Sequence, residues 1–383
     1  MKKHILVIRF SALGDVAMTV PVVWAVAHQY PEVRITVLSR AFARPFFENL
    51  APNVNFMEAD LKGEYRGVKG LNALYRRLTA KQFTHVADLH SVLRSNYLRM
   101  RFNIGRFKVA HIDKHRKMRH ALVDRKKKVL RQLPTSFENY AEVFAKLGFP
   151  ITLNNKTTDL AGNSDLQAKV FHSIFPPEGG NLEEIKECLI RGARCEVRDT
   201  RSEVRGARSE VRGSEKWIGI APFAAHRGKI YPKEQMHEVV RLLTEQFPDS
   251  RIFLFGRGKD EDITFPQWVS EMPHCVFVSK QLATMRQELI LMSHLDVMLS
   301  MDSANMHLAS LVGVPVVSVW GATHPMAGFM GWNQKADNAV QQDLACRPCS
   351  IYGQKPCLYG DFRCMTGIQS ETIVKKIAEN LKL

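Results

Sequence analysis

The residues best placed to do chemistry gather in the stretch DVMLSMDSANMHLASLVGVPVVSVWGATHP, residues 296–325. Val297–Leu299 suits a buried strand, Ser300–Ser303 a polar turn, and Met306, Leu308, Ala309, Leu311 and Val312 follow at helical spacing. Gly313 and Pro315 stop that helix, and Val314–Val319 has the β-branched composition of a central parallel strand. Such a unit sets a helix N-terminus at the carboxyl end of a strand, where free N–H groups and the helix dipole favour a phosphorylated ligand. Asp302, Ser303, Asn305 and His307 fall there, with Thr323 and His324 after the next strand. Ser303 has the residue type of an N-cap, so a purely structural capped helix explains the same pattern.

Two more stretches carry candidate groups. In FSALGDVAMTVP, Asp15 follows the strand Ile5–Arg9 and a Ser11–Asp15 turn in which Gly14 allows close backbone approach. A carboxylate there could take a proton from a hydroxyl, or could only complement the dipole of the helix through Val22–His28. FAAHRGKIYP places Arg227 and Lys229 on a mobile-looking loop after the strand Trp217–Ala221. Cations in that position suit a diphosphate, although an ordinary solvated basic loop has the same composition. Cys346, Cys349, Cys357 and Cys364 cluster late, with one CxxC and a second pair spread wider than in common zinc ribbons. Either reduced thiols or a structural Zn²⁺ fits that spacing.

The elements that must position these groups alternate strand and helix. Arg34–Leu38, Val54–Met57, His85–Asp88 and Lys108–Ile112 read as strands of a first half, which closes on an amphipathic helix Phe137–Leu147. The rhythm restarts with Trp217–Ala221, the helix Lys233–Phe247, the strands Arg251–Phe255 and Cys275–Val278, and the helix Leu282–Met292. Glu371–Leu381 is a last amphipathic helix. Alternation of this kind predicts two doubly wound parallel-sheet domains, residues 1–165 and 216–383. Between them, residues 191–213 repeat the pattern EVR with only valine apolar in each unit. That segment cannot bury a stripe, so it reads as a solvated low-complexity insertion in a linker, 166–215, without chemistry.

Charge and composition narrow the function. The chain has 383 residues, 45% hydrophobic and 24% charged, with a formal net charge of +16. Thirteen Lys/Arg against two Asp lie between Arg99 and Arg131, a patch that seeks phosphate or carboxylate. Only Phe102 and Phe107 interleave with those cations, too thin a stacking platform for nucleic acid. Gly14 stands alone in the first turn, and Phe255–Gly258 lacks the third glycine of a dinucleotide fingerprint. No apolar run reaches the ~20 residues of a membrane span. Arg9 and Asp15 interrupt what would be a signal peptide, so a cytoplasmic location is expected.

IRFSALGDVAMTVP, PFAAHRGKIYP and SMDSANMHLASLVGVPVVSVWGATHP resemble, in order and spacing, the ADP-heptose:lipopolysaccharide heptosyltransferases of glycosyltransferase family 9. The resemblance implies a GT-B fold, two Rossmann-like domains facing across a cleft. It also implies inverting transfer from a nucleotide-sugar donor, ADP-heptose, without metal or cofactor. Asp15 falls on the family's base. Lys229, Arg227, Asp302, Ser303, Asn305, His307, Thr323 and His324 fall on the donor side, where Ala304 replaces a common glycine and Asn305 a common proline or leucine. Arg94, Ser95, Arg116, Arg119 and His120 are expected on the acceptor side. The implied partners are an anionic glycolipid acceptor and the inner-membrane surface, with the enzyme peripheral on its cytoplasmic face. Another nucleotide sugar, or a non-catalytic glycolipid-binding homologue, remains compatible with these residues.

Overall fold

A computed structural model describes residues 3–153, 170–191 and 215–381. All of the EVR segment after Arg191 lies outside the described residues. Contacts divide the chain into two compact units, 1–115 with 134–174, and 116–133 with 175–383.

The first unit is built on β1 (His4–Ile8), β2 (Arg34–Ser39), β3 (Val54–Glu58), β4 (His85–Asp88) and β5 (Lys108–His111). All pairings are parallel and the order is β3-β2-β1-β4-β5. β1 lies at the centre and is buried along its whole length. That is why it is a continuous apolar run rather than an alternating one. The helix Ser136–Lys146 opens with a capping box in which Thr135 and Glu138 satisfy each other's backbone N–H.

The second unit holds β6 (Lys216–Ala221), β7 (Ser250–Leu254), β8 (Cys275–Phe277), β9 (Val297–Met301), β10 (Val316–Trp320) and β11 (Ala339–Gln341). Its sheet is again parallel, in the order β11-β10-β9-β6-β7-β8. The helices Lys233–Gln246 and Ser370–Leu381 cover one face with Met236, Val239, Val240, Ile373 and Ile377. The order jumps between β6 and β9, and β9–turn–helix stands at that central position. Ligands of open α/β sheets bind at the carboxyl ends of strands near such a reversal.

Every strand expected from the sequence is present. Two local readings need correction. Ser11–Asp15 is not a plain turn, because Leu13–Ala17 winds into a short helix of its own before Val20–Gln29. β11 is an additional strand, too short to leave an apolar signature. The segment 116–133 is placed with the second unit rather than with its neighbours in sequence.

Candidate functional site

In the first unit the site is assembled past the carboxyl ends of β1 and β4. Asp15 Oδ2 pairs with Arg9 Nη2 at 2.6 Å and accepts from Ala12 N at 3.3 Å. The Arg9 side chain is 7% exposed and that of Asp15 36%. Arg9 Nη1 also donates to Leu89 O at 2.6 Å. Burial opposes the guanidinium charge, but Tyr140, Asp15 and Asp88 outweigh it and leave the Arg9 pKa raised. Asp88 ends β4 and accepts from His90 N and Ser91 N, which fixes the turn holding His90. His90 is pushed down to about 3, first by burial and then by Arg9 and Lys114, so it is a neutral ring at ordinary pH. A cavity of about 330 Å³ opens beside Ser11 and His90, and its walls carry Arg40, Lys62 and Arg94 with no carboxylate.

The two residues expected beside each other in DLHSVLRS have different fates. Arg94 is exposed on this cavity wall. Ser95 is fully buried, with its hydroxyl accepting from Val92 N at 3.0 Å and donating to Val92 O at 3.1 Å. It closes the N-terminus of the helix Leu93–Ile104, and is unavailable to a ligand. Arg116, Arg119 and His120 lie on the helix Arg116–Leu122, which belongs to the second unit. There Arg119 donates to Tyr352 Oη at 2.5 Å and stacks over Phe329.

In the second unit Lys229 Nζ stands 2.8 Å from Asp302 Oδ2, with side-chain exposures of 15% and 3%. The contact is an ion pair rather than an aligned hydrogen bond, since the buried Oδ2 has no hydrogen-bond partner. Lys229 is not on a loose loop. It ends a 3-10 turn, Arg227–Lys229, whose buried Gly228 accepts from Ala322 N at 2.8 Å. A Cβ on Gly228 would meet Ala322 Cβ and Gly353 O at 2.8 Å, and one on Gly353 would meet Lys229 Cγ at 2.7 Å. Two glycines thus let three chain segments close around the lysine stem. Arg227 is exposed, its guanidinium over the Phe362 ring at 5.3 Å.

The helix Ala304–Leu311 begins beside this pair. Ser303 occupies the N-cap position with extended backbone, but its hydroxyl makes no cap bond and lies 3.2 Å from Ser300 Oγ instead. The expected self-capping is therefore absent, and the first-turn amides keep no side-chain acceptor of their own. Asn305 is half-buried in that turn and His307 buried in the next. Thr323 is fully buried with an unpartnered hydroxyl. His324 accepts from Met326 N at 3.1 Å through Nδ1, and is pushed down to about 4 by burial and then by Arg347.

Arg9, His90 and Arg347 escaped the sequence reading. Arg347 donates to Gly321 O, Trp320 O and Thr323 O, tying down the loop after β10. A lone arginine in a cysteine-rich loop gives no warning of this. The cysteines Cys346, Cys349, Cys357 and Cys364 are free thiols on the wall of one small cavity. Among the described residues no group of three or more His, Cys, Asp or Glu is arranged to hold a metal ion. Also among the described residues, no helix is long and apolar enough to cross a membrane.

Two doubly wound parallel-sheet units have the Rossmann-like architecture of the GT-B class of α/β fold. The chain belongs to glycosyltransferase family 9 (heptosyltransferase), whose family model matches residues 71–357. Among curated proteins, it is 30% identical over 87 residues to lipooligosaccharide heptosyltransferase 2 of Campylobacter jejuni, which covers 23% of this chain and 26% of that protein. It is 26% identical over 103 residues to lipopolysaccharide heptosyltransferase 1 of Campylobacter coli, covering 26% and 30%. These matches thus span less than a third of the relatives' own length. Solved structures match end to end. A family 9 glycosyl transferase from Veillonella parvula superposes with a TM-score of 0.66 at 18% identity, covering 100% of this chain and 99% of that one. Escherichia coli ADP-heptose lps heptosyltransferase II gives 0.62 at 16%, covering 99% and 98%. Escherichia coli heptosyltransferase WaaC with ADP-2-deoxy-2-fluoro heptose gives 0.60 at 15%, covering 98% and 99%.

Proposed function

We propose that the protein is an inverting glycosyltransferase that moves heptose from ADP-heptose onto the inner core of lipopolysaccharide, lipid A–Kdo or its extended core. The observation that carries this reading is the lysine held at the uncapped N-terminus of the helix Ala304–Leu311, a cation and free amides in one place. A leaving diphosphate needs both, because charge develops on it as the glycosidic bond breaks. Lys229 meets the phosphates, and Asp302 holds the ammonium in position. Ser303, Asn305 and His324 line the approach for the nucleotide sugar, with His307 and Thr323 buried on the donor side and Arg227 at its rim.

Asp15 is the base that takes the proton of the acceptor hydroxyl as it attacks. Arg9 holds one carboxylate oxygen and so fixes the direction of the other, which has no protein partner among the described residues. The Arg40, Lys62 and Arg94 walls of the cavity beside Ser11 and His90 suit an acceptor carrying carboxylate or phosphate. An acceptor anchored in lipid also places the enzyme on the cytoplasmic face of the inner membrane.

A thermal-shift screen of nucleotide diphosphates and their sugars tests the donor, since a ligand of the native state raises its melting temperature. ADP and ADP-heptose are expected to stabilise selectively. Preference for UDP or GDP would replace the donor and keep the fold. A flat response to every nucleotide would overturn the catalytic reading in favour of a glycolipid-binding role.

A further inference from the structure

The second half of the basic stretch recognised in the sequence, 116–133, is an excursion belonging to the second unit. From this excursion we infer that residues 125–131 form a docking edge for an anionic lipid bilayer. The inference rests on the reading of a membrane-borne acceptor and names the part of the chain that meets the membrane.

The excursion carries eight Lys/Arg against the single acid Asp124. Asp124 Oδ1 accepts from Lys126 N and Lys127 N at 2.8 Å, so this carboxylate is spent shaping the turn. Arg125, Lys126, Lys127 and Arg131 are exposed around it. In their midst Val129 and Leu130 are 49% and 58% exposed. The tip is firmly held from behind. Lys128 Nζ donates to Ala345 O and Arg347 O at 2.9 Å, Val129 N to Ala121 O at 3.0 Å, and Leu133 N to Met326 O at 2.8 Å. Lys128 is the one cation of the run turned inward, and that turn leaves the neighbouring aliphatic pair outward. Tyr352, which Arg119 grips, is 44% exposed.

An aliphatic pair ringed by cations on a braced turn matches a bilayer of negative surface potential. The lysines and arginines meet the headgroups, and Val129 and Leu130 enter the acyl boundary. Each basic side chain near such a surface strengthens binding by about fivefold. Nucleic acid fits less well, because aliphatic side chains offer bases nothing to stack on.

The test is co-sedimentation of the full chain with vesicles of phosphatidylcholine alone and with one-quarter phosphatidylglycerol. Binding is expected only to the anionic vesicles, and to weaken more than tenfold in Lys126→Glu/Lys127→Glu. The variant Val129→Ser/Leu130→Ser, which keeps every charge, is expected to lose binding as well, with an unchanged melting temperature in both. If the wild type binds and both variants bind equally well, this docking edge is wrong while the membrane reading stands. If the wild type ignores anionic vesicles, the membrane reading itself is wrong. Tighter binding to a fluorescent RNA oligonucleotide than to vesicles, lost in the glutamate variant and kept in the serine one, would reassign the edge to nucleic acid. The nucleotide screen is independent of all these outcomes.

Discussion

The two units solve one electrostatic problem with opposite signs. Each places an ion pair beyond its central strands, Arg9–Asp15 in the first and Lys229–Asp302 in the second. In the first the cation is buried, at 7% exposure, and the carboxylate stands out at 36%. In the second the carboxylate is buried, at 3%, and the cation is the more open partner at 15%. A buried partner tethers the outer group and neutralises it in the resting site, so each unit offers a positioned charge without an isolated buried ion. On the proposed reading the first unit thereby presents a proton acceptor and the second an anion acceptor. Those are the two needs of a sugar transfer that expels a diphosphate.

Removing the outer charge of the first pair should have the largest effect. Asp15→Asn keeps shape and removes the base, and the transfer rate is expected to fall by about 10²–10⁴. The melting temperature should change little, because Arg9 keeps its bond to Leu89 O and its neighbour Asp88. The proposed donor site lies in the other unit, so ADP should stabilise the variant and the wild type alike. Undiminished transfer would show that the outward carboxylate is not the base.

The second pair should respond differently, because there the partner left behind is an acid with almost no access to water. Lys229→Met strands Asp302 and is expected to cost about 3 kcal/mol of stability, together with the ADP response. Lys229→Met/Asp302→Asn removes the stranded charge and should recover most of the stability but none of the ADP response. Denaturant melts of the two variants, with and without ADP, check this. If the double variant regains nucleotide binding, the lysine is a structural partner only.

The lysine pair also depends on glycine packing, whereas the aspartate pair depends on one buried arginine. Gly228→Ala drives a methyl against Ala322 and the Gly353 carbonyl. Backbone must shift to relieve it, at about 2 kcal/mol, and the ADP midpoint should weaken with it. Binding unchanged despite the lost stability would show that the turn does not set the lysine's position.

This asymmetry explains what was legible in the sequence. Strands such as β1 and β9 are buried on both faces, so composition alone reveals them. Asp15, Lys229 and Asp302 were legible as chemical types following a strand. Which charges pair was not, because a pairing set by the folded chain leaves no local spacing. Arg9 reads as the last residue of a strand, yet it organises Asp15 from beneath. Ser303 has the ideal residue type for a cap, but Ser300 occupies its hydroxyl. Ser95 has the residue type of a ligand group, yet its hydroxyl bonds Val92 at the start of a helix. Gly353 lies far along the chain from the lysine it accommodates, a closeness that only the folded backbone creates.

Each unit also holds a histidine kept neutral by burial, and pH should sharpen the comparison with the smallest effect. His90 titrates at about 3 and His324 at about 4, both below the ordinary 6.5. As pH falls, the unfolded chain takes up these protons first. The stability they supply is therefore complete above pH 6.5 and is lost progressively as pH drops towards 4 and then 3. At pH 5.5 the loss should be roughly 1 kcal/mol for each ring. His90→Asn should flatten this acid limb by one ring's share and His324→Asn by the other's, read from denaturant melts at pH 7.5 and 5.5. Equal slopes in both variants and the wild type would mean that neither ring is held neutral. A change in one alone would locate the acid sensitivity in a single unit.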